Sequence, residues 1–127
     1  MSEKEQSSDD AVAGFDRTSF TGRERFTRIG VGMMGAKARG LAGIKTIIER
    51  DIAPGFRPAI EIDIPFLTVI ATGHFDRFID QNKLLQTVAA AESDAQIDQA
   101  FQQAELPAAL VDDLRAFIAR VPVPLAA

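Results

Sequence analysis

The chain has 127 residues, a single histidine (His74), and no cysteine, tryptophan or tyrosine. That composition leaves no disulfide, thiolate zinc site, cysteine nucleophile or paired-histidine zinc motif, and any nucleophile–histidine–acid arrangement would have to use His74. Fourteen Lys+Arg against eighteen Asp+Glu give a formal charge of −4, which argues against a general nucleic-acid binder that displaces many phosphate counterions.

Hydrophobic residues make up 46% and charged residues 25%, as in a soluble globular chain. Residues 1–24 carry Ser-Ser-Asp-Asp, Thr-Ser and Thr-Gly with few large apolar side chains, so a disordered polar tail is expected there. No apolar stretch follows the charged MSEKEQ start, and none approaches the roughly 18 residues of a membrane span. The expectation is a cytoplasmic protein without a membrane partner.

Next comes FTRIGVGMMG, residues 26–35, in which Gly30-Val-Gly32-Met-Met-Gly35 fits G-x-G-x-x-G. In a dinucleotide fold such glycines let the backbone approach a pyrophosphate at a helix N-terminus. The helix that should follow is predicted from Ala36 onward, with Leu41, Ile44, Ile47 and Ile48 on one face. Gly40 and Gly43 weaken it intrinsically, and close approach to a neighbouring backbone is the expected compensation. The preceding segment makes a poor buried strand, because Arg23, Glu24, Arg25 and Arg28 crowd it. The acids that could hold a ribose, Glu49 and Asp51, fall at the helix end rather than on a second strand. A P-loop reading fails: Ala36 stands where the lysine belongs, and Ala38 offers no hydroxyl to magnesium.

Pro54-Gly55 supplies turn chemistry after the helix. Ile60, Ile62 and Ile64 alternate with Glu61 and Asp63, predicting a half-buried strand up to Pro65 with the two acids on its solvent face. Leu67 to Ala71 predicts a more deeply buried strand. Thr72 is placed as the cap of a helix with Phe75, Phe78 and Ile79 on one face. His74, near that helix start, reads as a surface or cap-adjacent histidine. A weaker helical segment has Leu84, Leu85 and Val88. Ser93 and Gln96 fit a capping box, followed by Ile97, Ala100, Phe101 and Ala104. Pro107 suits the first turn of a last helix, striped by Leu110, Val111, Leu114, Phe117 and Ile118, with Asp112 and Asp113 solvated opposite. The chain ends VPVPLAA, an apolar strand-like stretch that suggests either a chain cut short or a terminus that docks on something else.

Several segments also carry a resemblance, in order. Met33-Met-Gly-Ala-Lys37-Ala-Arg-Gly-Leu-Ala42 resembles the G-G-K-A-R-G-L-A segment that opens the nucleotide-binding domain of the phosphoenolpyruvate synthase and pyruvate phosphate dikinase family. Ile64-Pro-Phe-Leu-Thr-Val-Ile-Ala-Thr72 resembles its I-P-x-T-x-V-x-G-T strand. His74-Phe-Asp-Arg-Phe78 resembles its F-D-x-F helix, and Ala104-Glu-Leu-Pro107 its A-x-L-P helix start. The match spans roughly residues 26–125.

The resemblance implies an α+β fold: a partial ATP-grasp-like nucleotide-binding domain, helix-rich with a short sheet, over residues 25–127. It implies phosphoryl transfer from ATP to a histidine on another domain, and then to pyruvate. By position, Lys37 matches the family lysine on the ATP phosphates, with Gly35 and Ala36 beside it in the loop. Met33 and Met34 read as soft packing under the glycines, and Arg39 as solvated or ion-paired. The second family glycine is Ala36 here. The family continues P-L-A-V-R-S-S where this sequence stops, so its phosphate arginine, its magnesium-binding acids and most of its sheet would lie beyond Ala127. The implied unit is one edge of an ATP site, incomplete and inactive alone, whose partner is a nucleotide and a missing C-terminal part or another protein. Two other readings stay open: a non-catalytic module docking a partner through its apolar C-terminus, and a small dinucleotide-binding protein built on Gly30–Gly35.

Overall fold

The computed structural model describes residues 12–52, 59 and 61–127. The turn expected at Pro54-Gly55, and Ile60, lie outside the described residues. In chain order the elements are strands β1 (Ala13–Gly14) and β2 (Phe26–Ile29), helix α1 (Ala36–Asp51), strand β3 (Leu67–Ile70), and helices α2 (Thr72–Gln81), α3 (Leu84–Ala90), α4 (Asp94–Gln103) and α5 (Ala108–Arg120). The fold is mixed α/β, with five helices and a parallel sheet of three short strands among the described residues.

The sheet runs in the order β1-β2-β3, so β2 is its centre. Phe26 pairs with Leu67 and Ile29 with Ile70 in register, and Ala13 and Gly14 pair with Thr27 and Arg28. β2 therefore corrects the expectation of a poor strand before the glycines. The strand is only four residues long, and three of the four crowding charges precede it. The Glu24 carboxylate accepts from the Thr21 amide and hydroxyl. Arg25 donates to Ile64 O at 3.0 Å, pairs with Asp63 at 3.1 Å and lies 4.7 Å over the Phe66 ring. Between strands, the Thr27 and Thr68 hydroxyls bond at 2.9 Å.

The strand expected before Pro65 does not form over residues 61–64, which are irregular. Asp63 is held by Arg25 and by the Ile64 amide instead of facing water from a ladder, although Ile64 itself is buried.

Residues 12–24 correct the expected extent of the polar tail. Val12 is buried, Ala13 and Gly14 extend the sheet, and the Phe15, Phe20 and Phe117 rings cluster with centroids 4.9–6.2 Å apart. Thr18 donates its hydroxyl and amide to Asp16, holding that carboxyl below the usual carboxylate range. Arg17 reaches α5, pairing with Asp112 at 3.2 Å and Asp113 at 2.9 Å, so those two acids hold the N-terminal segment.

One core cluster lies between the sheet and α1. It joins Val12, Phe26, Met34, Ala42 and Ile64, with Ala38, Leu41, Ile48, Leu67 and Val69 packed against it. The buried stripe of α1 is thus rotated from the expected one: Ile44 and Ile47 are half exposed, and Ala38 and Ala42 face the sheet. Small side chains there let helix and sheet approach closely. Gly40 and Gly43 contribute no such approach, since a Cβ on either would meet nothing within 4 Å. Gly40→Ala is accordingly expected to stabilise the chain by about 0.4–1 kcal/mol, through helix propensity and lower unfolded-state entropy. A lower urea midpoint for that variant would contradict this.

Helices α2 to α5 follow. The Ser93 hydroxyl accepts from Gln96 N–H and the Gln96 side chain accepts from Glu92 N–H, close to the expected capping box. Pro107 is the residue just before α5, one position earlier than expected. Asn82 joins the end of α2 to the approach to α5: its amide donates to Phe78 O and Glu105 O and accepts from Glu105 N–H. Phe78 and Phe101 pack with centroids 6.0 Å apart.

Candidate functional site

The glycine segment leaves the carboxyl end of central strand β2 and enters α1, while α2 leaves the carboxyl end of β3 beside it. Ligands of parallel α/β sheets bind at this end, because helix N-termini gather there.

The loop is built against α2. Gly30 and Gly32 have φ of +83° and +113°, a region L-side chains rarely adopt. A Cβ on Gly30 would press into the His74 ring, 2.7 Å from Nε2, and one on Gly32 would lie 2.6 Å from Thr72 Oγ1. Gly73 N–H donates to Val31 O at 2.9 Å and Thr72 N–H to Met33 O at 3.1 Å. In return, Thr72 Oγ1 accepts from Met33 N–H at 2.9 Å.

These contacts correct two expectations. Thr72 is not the cap of α2; Ala71 holds that position, and the Thr72 hydroxyl serves the loop. His74 is buried at 8% exposure, because Gly30 folds over its ring. It replaces Phe75, which is 59% exposed, as the inward residue of the first turn of α2. No periodicity in α2 could reveal this, since the covering surface comes from a loop some forty positions earlier in the chain.

Two helix N-termini thus meet at one end of the sheet, and they differ. The loop carbonyls accept from the first amides of α2. α1 begins after Gly35, whose φ of −67° and ψ of 162° are extended and whose lack of a side chain leaves no cap hydrogen bond. The first hydrogen bond of that turn is Arg39 N–H to Gly35 O at 3.0 Å, so by helix geometry the Ala36, Lys37 and Ala38 amides have no acceptor in a preceding turn. Lys37 is exposed and enters no hydrogen bond or ion pair among the described residues. The structure therefore brings Gly35, Ala36 and Lys37 together with free donors and a positive helix end. Met34 is buried at 2% beneath the loop and Met33 is 56% exposed, so only one of the pair packs under the glycines.

Arg28 is a second cation at this end that its sequence context did not single out. Strand alternation puts it on the face of Phe26, which α1 covers, and its Nε is buried with no partner among the described residues. Glu49 and Asp51, by contrast, pair with Lys45 and Arg50 in the last turns of α1. At ~1.5 Å per residue they lie roughly 20 Å from Lys37.

No protein-family model matches the chain, and no curated protein or solved structure matches it. No described helix is long and apolar enough to cross a membrane.

Proposed function

We propose that the chain is the glycine-loop portion of an ATP-binding domain resembling that of phosphoenolpyruvate synthase and pyruvate phosphate dikinase. In this reading the fold is part of an ATP-grasp-like domain, and Gly35, Ala36 and Lys37 hold the phosphates of ATP. The observation that carries it is the uncapped start of α1, with Lys37 in its first turn, at the carboxyl end of a parallel sheet. Free amides supply directed donors, the helix end supplies a partial positive charge, and lysine supplies a full one. Arg28, half-buried on the α1 face of the central strand with its Nε shielded from water, adds a further positive charge.

ATP, when bound, supplies the transferable phosphoryl group. The residues of this chain bind and orient it, which is most of what phosphoryl transfer asks of a protein. Among the described residues no three carboxylate or imidazole side chains group to hold a magnesium ion, so the metal is assigned no ligands here.

The test is ligand-linked stability. At ATP ten times its Kd, linkage adds about 1.4 kcal/mol to the wild type, and Lys37→Ala is expected to remove most of the resulting rise in Tm. Equal rises in both proteins would refute the assignment of Lys37.

The dinucleotide reading gains the β2 strand and shares the uncapped start of α1, but two features count against it. Gly30 and Gly32 are filled by His74 and Thr72, and the acids it needs lie at the far end of α1. The docking-module reading has one specific support. β3 is an edge strand among the described residues, and Ile70, Ile118, Val123 and Leu125 beside it are 42–62% exposed. A chain that stays monomeric in sedimentation and binds ATP would count against it.

A further inference from the structure

The clasp between the glycine loop and α2 assigns a role to Thr72 that a helix start alone does not require. Thr72 bonds to Met33 in both directions: its N–H donates to Met33 O at 3.1 Å, and its hydroxyl accepts from Met33 N–H at 2.9 Å. Met34, the next residue, is anchored by burial. The chain is thus fixed at two successive residues just before Gly35, where α1 begins. Their placement sets where the Ala36–Ala38 amides and the Lys37 ammonium are presented.

An ordinary helix-capping threonine would accept from its own helix. Thr72 lies inside the first turn of α2 and its hydroxyl accepts from the loop instead. We infer that Thr72 is a positioning residue for the phosphate-binding loop, acting through its hydroxyl on the Met33 N–H and touching no ligand itself. The inference rests on the ATP reading above and deepens it.

Shape and hydroxyl can be separated. Thr72→Val keeps the branched outline and loses the acceptor, whereas Thr72→Ser keeps the acceptor and loses the methyl. The Met33–Thr72 bond is exposed, so water can satisfy the freed amide and the fold should survive. Acylation of Lys37 in the full chain, followed by mass spectrometry across a range of ATP concentrations, gives the half-protecting concentration for each protein.

Thr72→Val is expected to raise that concentration about two- to tenfold, the range of one net hydrogen bond, and Thr72→Ser to restore it. Thr72→Ala, a second variant should Thr72→Val fold poorly, is expected to match the valine protein. Wild-type protection that persists unchanged in the valine or alanine protein would overturn the inference while leaving the ATP reading standing. A serine protein as impaired as the valine one would also overturn it, because the hydroxyl would then not be the cause. Absence of ATP protection in the wild type would overturn the ATP reading, and this inference with it.

Discussion

Gly30→Ala is expected to lower the unfolding free energy by about 2–6 kcal/mol. Two penalties add. An alanine held at the +83° φ of Gly30 sits in a sparsely populated region worth about 1–3 kcal/mol, and its Cβ overpacks a filled space at about 1–3 kcal/mol more. The space is the His74 ring, itself buried and unable to swing outward without uncovering the first turn of α2. Urea unfolding followed by circular dichroism measures the loss. Gly35→Ala is the comparison: its φ is −67° and a Cβ there meets nothing within 4 Å, so the change should stay below about 1 kcal/mol. Similar losses in both variants would mean that the loop is not moulded to α2. His74→Ala combined with Gly30→Ala should recover the overpacking part and leave the backbone part, which makes the pair non-additive.

Phe117→Ala is expected to cost about 3–5 kcal/mol, the range for an aromatic removed from a packed interior. Phe117 is 4% exposed and stacks on Phe20 at 5.5 Å, with Phe15 at 6.2 Å. It therefore joins α5 to the N-terminal segment that supplies β1. The neighbouring ion pairs of Arg17 with Asp112 and Asp113 span the same two elements, but Arg17 is partly solvated in both, so they offset only part of the loss. A drop below 1 kcal/mol in the urea midpoint analysis would show that the aromatic cluster is not a core. Phe75→Ala, on the exposed side of α2, should stay within about 0.5 kcal/mol of wild type.

Elements whose signal is local could be read from the chain before the fold was known. α5 follows its apolar stripe to within one turn, α4 starts at its Ser93 cap, and β3 falls within the β-branched run of residues 67–71, although as an edge strand among the described residues it is half-buried rather than deeply buried. β2 was obscured because its four residues are flanked by charges that the tertiary structure disposes of separately, through Thr21, Asp63, Ile64 and Phe66. β1 has only two residues and no pattern of its own; it exists because β2 offers it an edge. The packed face of α1 keeps Leu41 and Ile48 of the expected stripe but takes Ala38 and Ala42 in place of Ile44 and Ile47, because a hydrophobic pattern weights isoleucine over alanine whereas close packing on the sheet selects small side chains.

The candidate site shows the same division. Lys37, Ala36 and Gly35 could be singled out from a contiguous segment, since glycine loop and helix start are neighbours in sequence. The contacts of Thr72 and His74 with the loop could not, because their partners Met33 and Gly30 lie some forty residues away and the interaction depends on two positive φ angles. The glycines carry information about α2 as much as about any phosphate.

In the proposed reading the open end of α1 receives the phosphates of ATP. Competitive acylation of all lysines in the intact chain, with and without millimolar ATP, tests it most directly. Lys45, paired with Glu49 at 2.7 Å toward the far end of α1, and Lys83, before α3, serve as internal references. ATP is expected to slow labelling of Lys37 while Lys45 and Lys83 label at unchanged rates. Lys37 labelling at the same rate with and without ATP would contradict it.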